Sequence, residues 1–136
     1  MEQAPYSVQD LLRVMARLRD PDGGCPWDLA QDFRSIVPST LEECYELAEA
    51  IEHGDYPHVA EELGDVLFQV VFYSRLGEEQ QLFSFEEIVD TLVRKLLRRH
   101  PHVFAGGAIE GRVDDTTSVD EVTPIVRELE VDWQRP

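Results

Sequence analysis

The chain has 136 residues, 43% of them hydrophobic and 9% aromatic, and a formal net charge of −16. This size and composition fit one folded domain over residues 1–136 and exclude a disordered polyelectrolyte. The acidic balance argues against nucleic-acid or anionic-membrane binding through phosphate neutralisation, and no apolar run approaches the roughly 18 residues of a membrane span.

MEQAPYSVQD, at the start, has no charged-apolar-small pattern of a secretory signal, so a cytoplasmic protein is expected. Cys25 and Cys44 fit that setting as reduced thiols that pack as small hydrophobes. Ser7 predicts the cap of a first helix running to about Arg19, with Val8, Leu11, Leu12, Met15 and Leu18 as its apolar stripe. Asp20-Pro21-Asp22-Gly23-Gly24 is a turn sequence, and Cys25-Pro26-Trp27-Asp28 is read as its continuation in a loop. A short connector, Gln31 to Val37, closes at Pro38, after which Ser39 with Glu42 and Thr40 with Glu43 offer two capping boxes for a second helix. That helix carries Leu41, Cys44, Leu47, Ala48 and Ile51 as its expected core stripe, and Gly54-Asp55 marks the turn that ends it.

A third helix is expected from about Tyr56 to Gly77. Val66, Leu67, Phe68, Val70, Val71, Phe72 and Tyr73 make it apolar nearly all round, the pattern of a helix in the middle of a bundle. Gly64 weakens it by about 1 kcal/mol relative to Ala, which predicts close approach of a neighbouring helix or ligand there. Ser84 with Glu87 opens a fourth helix with Phe85, Ile88, Val89, Leu92, Leu96 and Leu97 on its core side. Its end holds Arg94, Lys95, Arg98 and Arg99, four of the twelve Lys and Arg in the chain. Lys95 and Arg99 continue the line of Ile88 and Leu92 and are expected to point inward, whereas Arg94 and Arg98 are expected to be solvated. His100-Pro101-His102 follows; its histidines suit capping or packing as well as binding. Ala105 to Thr117 reads as loop, Ser118 with Glu121 opens a last helix to about Val131, and Trp133 stands near the end. Nothing reads as strand, so the fold class is all-α, a bundle of four to five helices.

The chemistry is concentrated between Leu41 and Asp65, where nine Asp and Glu occur without one Lys or Arg. Glu43 and Glu46 on the second helix, and Glu62 and Asp65 on the third, are spaced i, i+3, so each pair shares a helix face. Antiparallel packing would bring the pairs together, and two unit charges about 4 Å apart repel by about 4 kcal/mol at an effective dielectric of about 20. Glu62, Asp65 and Gln69 fall within about 60° of one another on a wheel of about 100° per residue, so they look into the protein or a cleft rather than along a solvated face. Buried carboxylates need pairing, protonation or a cation, and oxygen-only ligation suits the hard ions Mg²⁺ or Mn²⁺.

Taken in order, CPWDLAQDF, TLEECYELAEAI, EELGDVLFQVVF and KLLRRHPHVF resemble the MazG-type nucleoside triphosphate pyrophosphohydrolases over about Leu11 to Phe104, including EExxE (Glu42-Glu43-x-x-Glu46) followed by ExxD (Glu62-x-x-Asp65). The resemblance implies Mg²⁺-dependent hydrolysis of a nucleoside triphosphate to the monophosphate and pyrophosphate, by a homodimer or dimer of dimers, with house-cleaning of non-canonical nucleotides as one role. It implies Glu43, Glu46, Glu62 and Asp65 as Mg²⁺ ligands, Glu42 as the residue that orients or deprotonates the attacking water, and Lys95 and Arg99 as the phosphate-holding K-x-x-x-R pair. Trp27 and Gln31 match the loop associated with base recognition. The family's C-terminal W-E-x-x-K is replaced here by Trp133-Gln134-Arg135-Pro136, so its lysine is missing. A phosphoribosyl-ATP pyrophosphatase-like enzyme and a catalytically silent dimerisation or regulatory module are the alternatives.

Overall fold

The structure, a computed structural model, describes residues 4–113, and the expected last helix and Trp133 lie outside them. The described residues are helical, without strands, in the order α1 (Val8–Leu18), α2 (Pro26–Leu29), α3 (Phe33–His53), α4 (Tyr56–Glu79) and α5 (Phe85–Arg99), followed by a 3-10 turn at Ala105–Gly107. The chain divides into two compact units, Met1–Phe85 and Glu86–Pro136. None of the described helices is long and apolar enough to cross a membrane.

In the first unit α1 begins as its sequence dictates. Ser7 accepts from the backbone N–H of Asp10, and the Asp10 carboxylate accepts from the Ser7 N–H at 2.9 Å, a reciprocal capping box. The turn after α1 holds two backbone bonds, Gly24 N–H to the Asp20 carbonyl and Cys25 N–H to the Leu18 carbonyl, both 2.9 Å. The segment read as loop from Cys25 to Asp28 instead makes one helical turn, α2, because Pro26 stands at its start, where a missing N–H costs nothing.

The second expected helix starts earlier than Pro38 suggests. Asp32 and Ser35 form a capping box, Ser35 N–H to Asp32 Oδ1 at 2.8 Å, and α3 runs unbroken through Pro38 to His53. Ser39 and Thr40, expected as caps, are interior residues of α3 that reach across to α4. The Thr40 hydroxyl lies 2.7 Å from both Gln69 Oε1 and the Tyr73 hydroxyl, and Gln69 Nε2 donates to Ser39 Oγ at 3.2 Å. With one proton to give, Thr40 donates to Gln69 and accepts from Tyr73.

Gly54, at φ 67°, turns the chain in the left-handed region that favours glycine, and Asp55 caps α4 by accepting from the His58 N–H. α3 and α4 therefore form a helical hairpin. Its far end holds the core: Met15, Ile36, Val71, Phe72 and Leu76, walled by Leu11, Leu12, Phe33, Phe68, Tyr73 and Phe85. Phe33 stacks on Tyr73 with centroids 6.0 Å apart, and Phe68 meets Phe72 edge-on at 5.8 Å. Phe72 is fully buried, so its truncation to Ala would cost about 3–5 kcal/mol. Gly77 is required by packing, because a Cβ there would collide with the Phe83 ring.

Within the α3–α4 hairpin two expected burial patterns fail. Leu41, Cys44, Ala48 and Ile51 are exposed and Leu47 only partly covered, while Ile36 and Ala50 take the buried positions of α3. α4 is not enclosed on every side: Leu63, Leu67 and Val70 are 52%, 39% and 37% exposed. Periodicity identifies an apolar face but not what covers it, and here a second face remains open. Gly64 also departs from expectation, since nothing lies within 4 Å of where its Cβ would stand.

In the second unit, α5 follows directly on Ser84 and has no fully buried residue. Val89, Leu92 and Leu96 are exposed and Ile88 and Leu97 partly covered, which replaces the expected core stripe with a half-open one. His100 caps the helix end by donating from Nδ1 to the Leu96 carbonyl at 2.7 Å.

Candidate active site

The acidic residues come together between the Gly54 turn and the aromatic core. One carboxylate oxygen from each of Glu43, Glu62 and Asp65 lies within 4.8 Å of the other two. Glu62 is buried, Glu43 partly buried and Asp65 exposed, so the group opens to solvent on the Asp65 side. Glu43 Oε2 and Glu62 Oε2 are sealed from solvent without a hydrogen-bond partner. Orphaned carboxylate oxygens beside a third carboxylate fit an oxygen-preferring divalent cation, which would satisfy the lone pairs and offset the charge together.

The electrostatics record the crowding. Burial pushes the Glu43 carboxyl up to about 7, helped by the Glu62 carboxyl, with which it can share a proton, and by repulsion from Asp65, Glu46 and Glu62. Glu46 stands one turn along α3, outside the closest set; its carboxyl is also raised, by burial and then by repulsion from Glu62 and Glu42. Glu42 is exposed on the same helix. Gln69, the third residue of the expected inward face, is buried but engaged with Ser39 and Thr40.

Trp27 and Gln31 are held at the other end of the first unit. Trp27 is 62% exposed on α2, and Gln31 Nε2 donates to the Trp27 carbonyl at 3.1 Å. Behind them stands Arg19, which sequence reading passed over. Its guanidinium donates to both carboxylate oxygens of Glu79, at 3.0 and 2.6 Å, and to the Asp28 and Gln31 carbonyls at 2.6 and 3.2 Å. The same group lies over the Phe72 ring at 5.7 Å. His58 was missed as well: its Nε2 donates to Glu62 Oε1 at 2.9 Å, and the i, i+4 spacing of the two residues was the available signal.

Lys95 and Arg99 occupy α5, in the second unit. Lys95 is exposed, Arg99 partly buried and Leu92 half exposed, so the line they share is not the inward one expected. Arg94 pairs with Asp90 at 2.8 Å on the exposed surface, and Arg98 is exposed.

Among the described residues the chain is all-helical, and its α3–α4 hairpin gathers carboxylates in an arrangement that fits a cation, features that together define a recognisable class. Residues 31–104 match the MazG nucleotide pyrophosphohydrolase domain, and the chain belongs to that family. It is 50% identical over 103 residues to a nucleoside triphosphate pyrophosphohydrolase of Escherichia coli (strain K12), covering 76% of this chain and 39% of that protein. It is 46% identical over 104 residues to the nucleoside triphosphate pyrophosphohydrolase/pyrophosphatase MazG of Thermotoga maritima, covering 76% and 40% respectively. A 26.1 kDa uncharacterized protein of Streptomyces cacaoi is 38% identical over 128 residues, 93% of this chain and 46% of its own. The chain thus spans less than half the length of these relatives.

Proposed function

We propose that this chain hydrolyses nucleoside triphosphates to the monophosphate and pyrophosphate with Mg²⁺, or Mn²⁺ in its place. The observation that carries this reading is the convergence of Glu43, Glu62 and Asp65 within 4.8 Å in a chain of the MazG family. Those three residues and Glu46 would hold the cation. When bound, it supplies Lewis acidity toward the triphosphate and the attacking water. Glu42 orients that water and takes its proton as general base. Lys95 and Arg99 neutralise the charge of the departing pyrophosphate, and Trp27 and Gln31 meet the base.

The working unit in this reading is a homodimer, which can pair again. Val37, Leu41, Cys44, Ala48 and Ile51 on α3, and Ala60, Leu63, Leu67 and Val70 on α4, recur at alternating steps of four and three, and all are exposed. Such stripes suit helix packing against a second copy, at the spacing of a helical seam.

The deciding experiment offers canonical and modified nucleoside triphosphates with Mg²⁺ and resolves the products by chromatography. Monophosphate plus pyrophosphate is the expected result. Diphosphate plus phosphate, or no turnover on any substrate, overturns the reading.

A further inference from the structure

His58 is the third residue of α4, fixed there by Asp55, whose side chain accepts from the His58 N–H. One turn later stands Glu62, and the spacing lays the imidazole against the carboxylate, Nε2 to Oε1 at 2.9 Å. Facing a carboxylate, Nε2 carries the proton and donates it. Glu62 is only 7% exposed, and its other oxygen, Oε2, is sealed from solvent without a protein partner. The torsion at the end of a Glu side chain is broad and roughly two-fold, so a free carboxylate would swivel. A hydrogen bond to Oε1 removes that freedom and leaves Oε2 as the oxygen still to be satisfied.

We propose that His58 is a positioning residue for the cation site: by holding Glu62 Oε1 it orients the carboxylate and leaves Oε2 available to a divalent cation shared with Glu43 and Asp65. The inference rests on the reading of Glu62 as a ligand. Outer partners of this kind orient ligating groups in metal sites, and their loss typically lowers metal affinity about 10- to 100-fold. His58 acts here from the ligand's far side, and its half-exposed ring contributes little to the core, so the contact can be removed without opening a cavity.

The test is a calorimetric titration of the full chain with Mn²⁺ alone, without nucleotide, on the wild type and on His58→Ala, His58→Gln and Glu62→Gln. His58→Ala should weaken Mn²⁺ binding by about 10- to 100-fold at unchanged helicity, and His58→Gln, whose amide N–H can replace the imidazole donor, should recover most of the loss. Equal affinity in wild type and His58→Ala overturns the proposal. So does a loss that Gln fails to restore, which would make the imidazole a direct ligand. If Glu62→Gln binds Mn²⁺ as the wild type does, or the wild type binds none, the cation reading itself fails and takes this inference with it.

Discussion

Arg19 and Glu79, sixty positions apart, form a two-pronged ion pair that fastens the end of α1 to the end of α4, and the same guanidinium grips the α2 backbone through Asp28 and Gln31. Each partner alters the other's titration. The Glu79 carboxylate raises the Arg19 guanidinium, and Arg19 holds the Glu79 carboxyl below its usual range.

Because Arg19 is largely buried, Arg19→Met should cost about 2–3 kcal/mol, less than the full penalty for breaking a wholly buried pair because Glu79 retains some water. Arg13→Ala, which breaks the exposed pair with Asp10, should stay within about 0.5 kcal/mol. Urea unfolding checks both, as a midpoint shift at constant m.

Opposite shifts predict an asymmetric pH profile for the metal-free chain. Glu43 titrates higher folded than unfolded, so its contribution is full on the acid side and lost as pH rises from about 4.5 to about 7. Glu79 titrates lower folded than unfolded, so its contribution is present above the ordinary carboxylate value and lost as pH falls through the lowered one. Melting temperatures across this range should peak on the mildly acidic side. Glu43→Gln should flatten the neutral limb, and Glu79→Gln the acid limb.

Asp65→Asn and Glu46→Gln should leave the metal-free fold intact or slightly stabilised, since each removes a like charge from the cluster. Both should abolish Mg²⁺-dependent turnover. Thermal melts with millimolar Mg²⁺ provide an independent reading, because a cation that binds only the folded state must raise stability with occupancy. The same gain in wild type and variants would remove these residues from the ligand set.

Lys95→Ala and Arg99→Ala should each lower kcat/KM about ten- to a hundred-fold, the worth of a charge-assisted hydrogen bond of roughly 1.5–3 kcal/mol. Arg94→Ala, which loses only a surface pair with Asp90, and Arg98→Ala should change it little. Equal losses in all four would leave the α5 cluster as a diffuse positive field.

What the sequence disclosed was mostly local. The Ser7 cap and the Gly54-Asp55 turn depend on residues within one helical turn of each other, and both were readable. So was the approach of Glu43 to Glu62 and Asp65 across the hairpin, because i, i+3 spacing on two helices joined by a short turn leaves few ways to separate them, although Glu46, expected with them, stands outside the closest set. Pro38 misled because the α3 start is decided upstream, where Asp32 and Ser35 close their own box. Arg19 was invisible since nothing near it in sequence points to Glu79. Leu41 and Leu67 were correctly seen as apolar and wrongly assigned to the interior, because a hydrophobic stripe is the same whether its cover is its own chain or another.

The uncharged contacts of Ser39 and Thr40 with Gln69 and Tyr73 bear on axial slippage within the hairpin. Leucine and valine surfaces tolerate sliding, whereas hydrogen bonds of 2.7 Å do not survive a shift of one helical turn, about 5.4 Å. Mutual repulsion of Glu43, Glu62 and Asp65 favours any slip that separates them, and the hydroxyl-amide latch one turn away opposes it. The alignment of the carboxylates is thus set by neutral neighbours, so Thr40→Val should misplace the acidic groups without altering their charge.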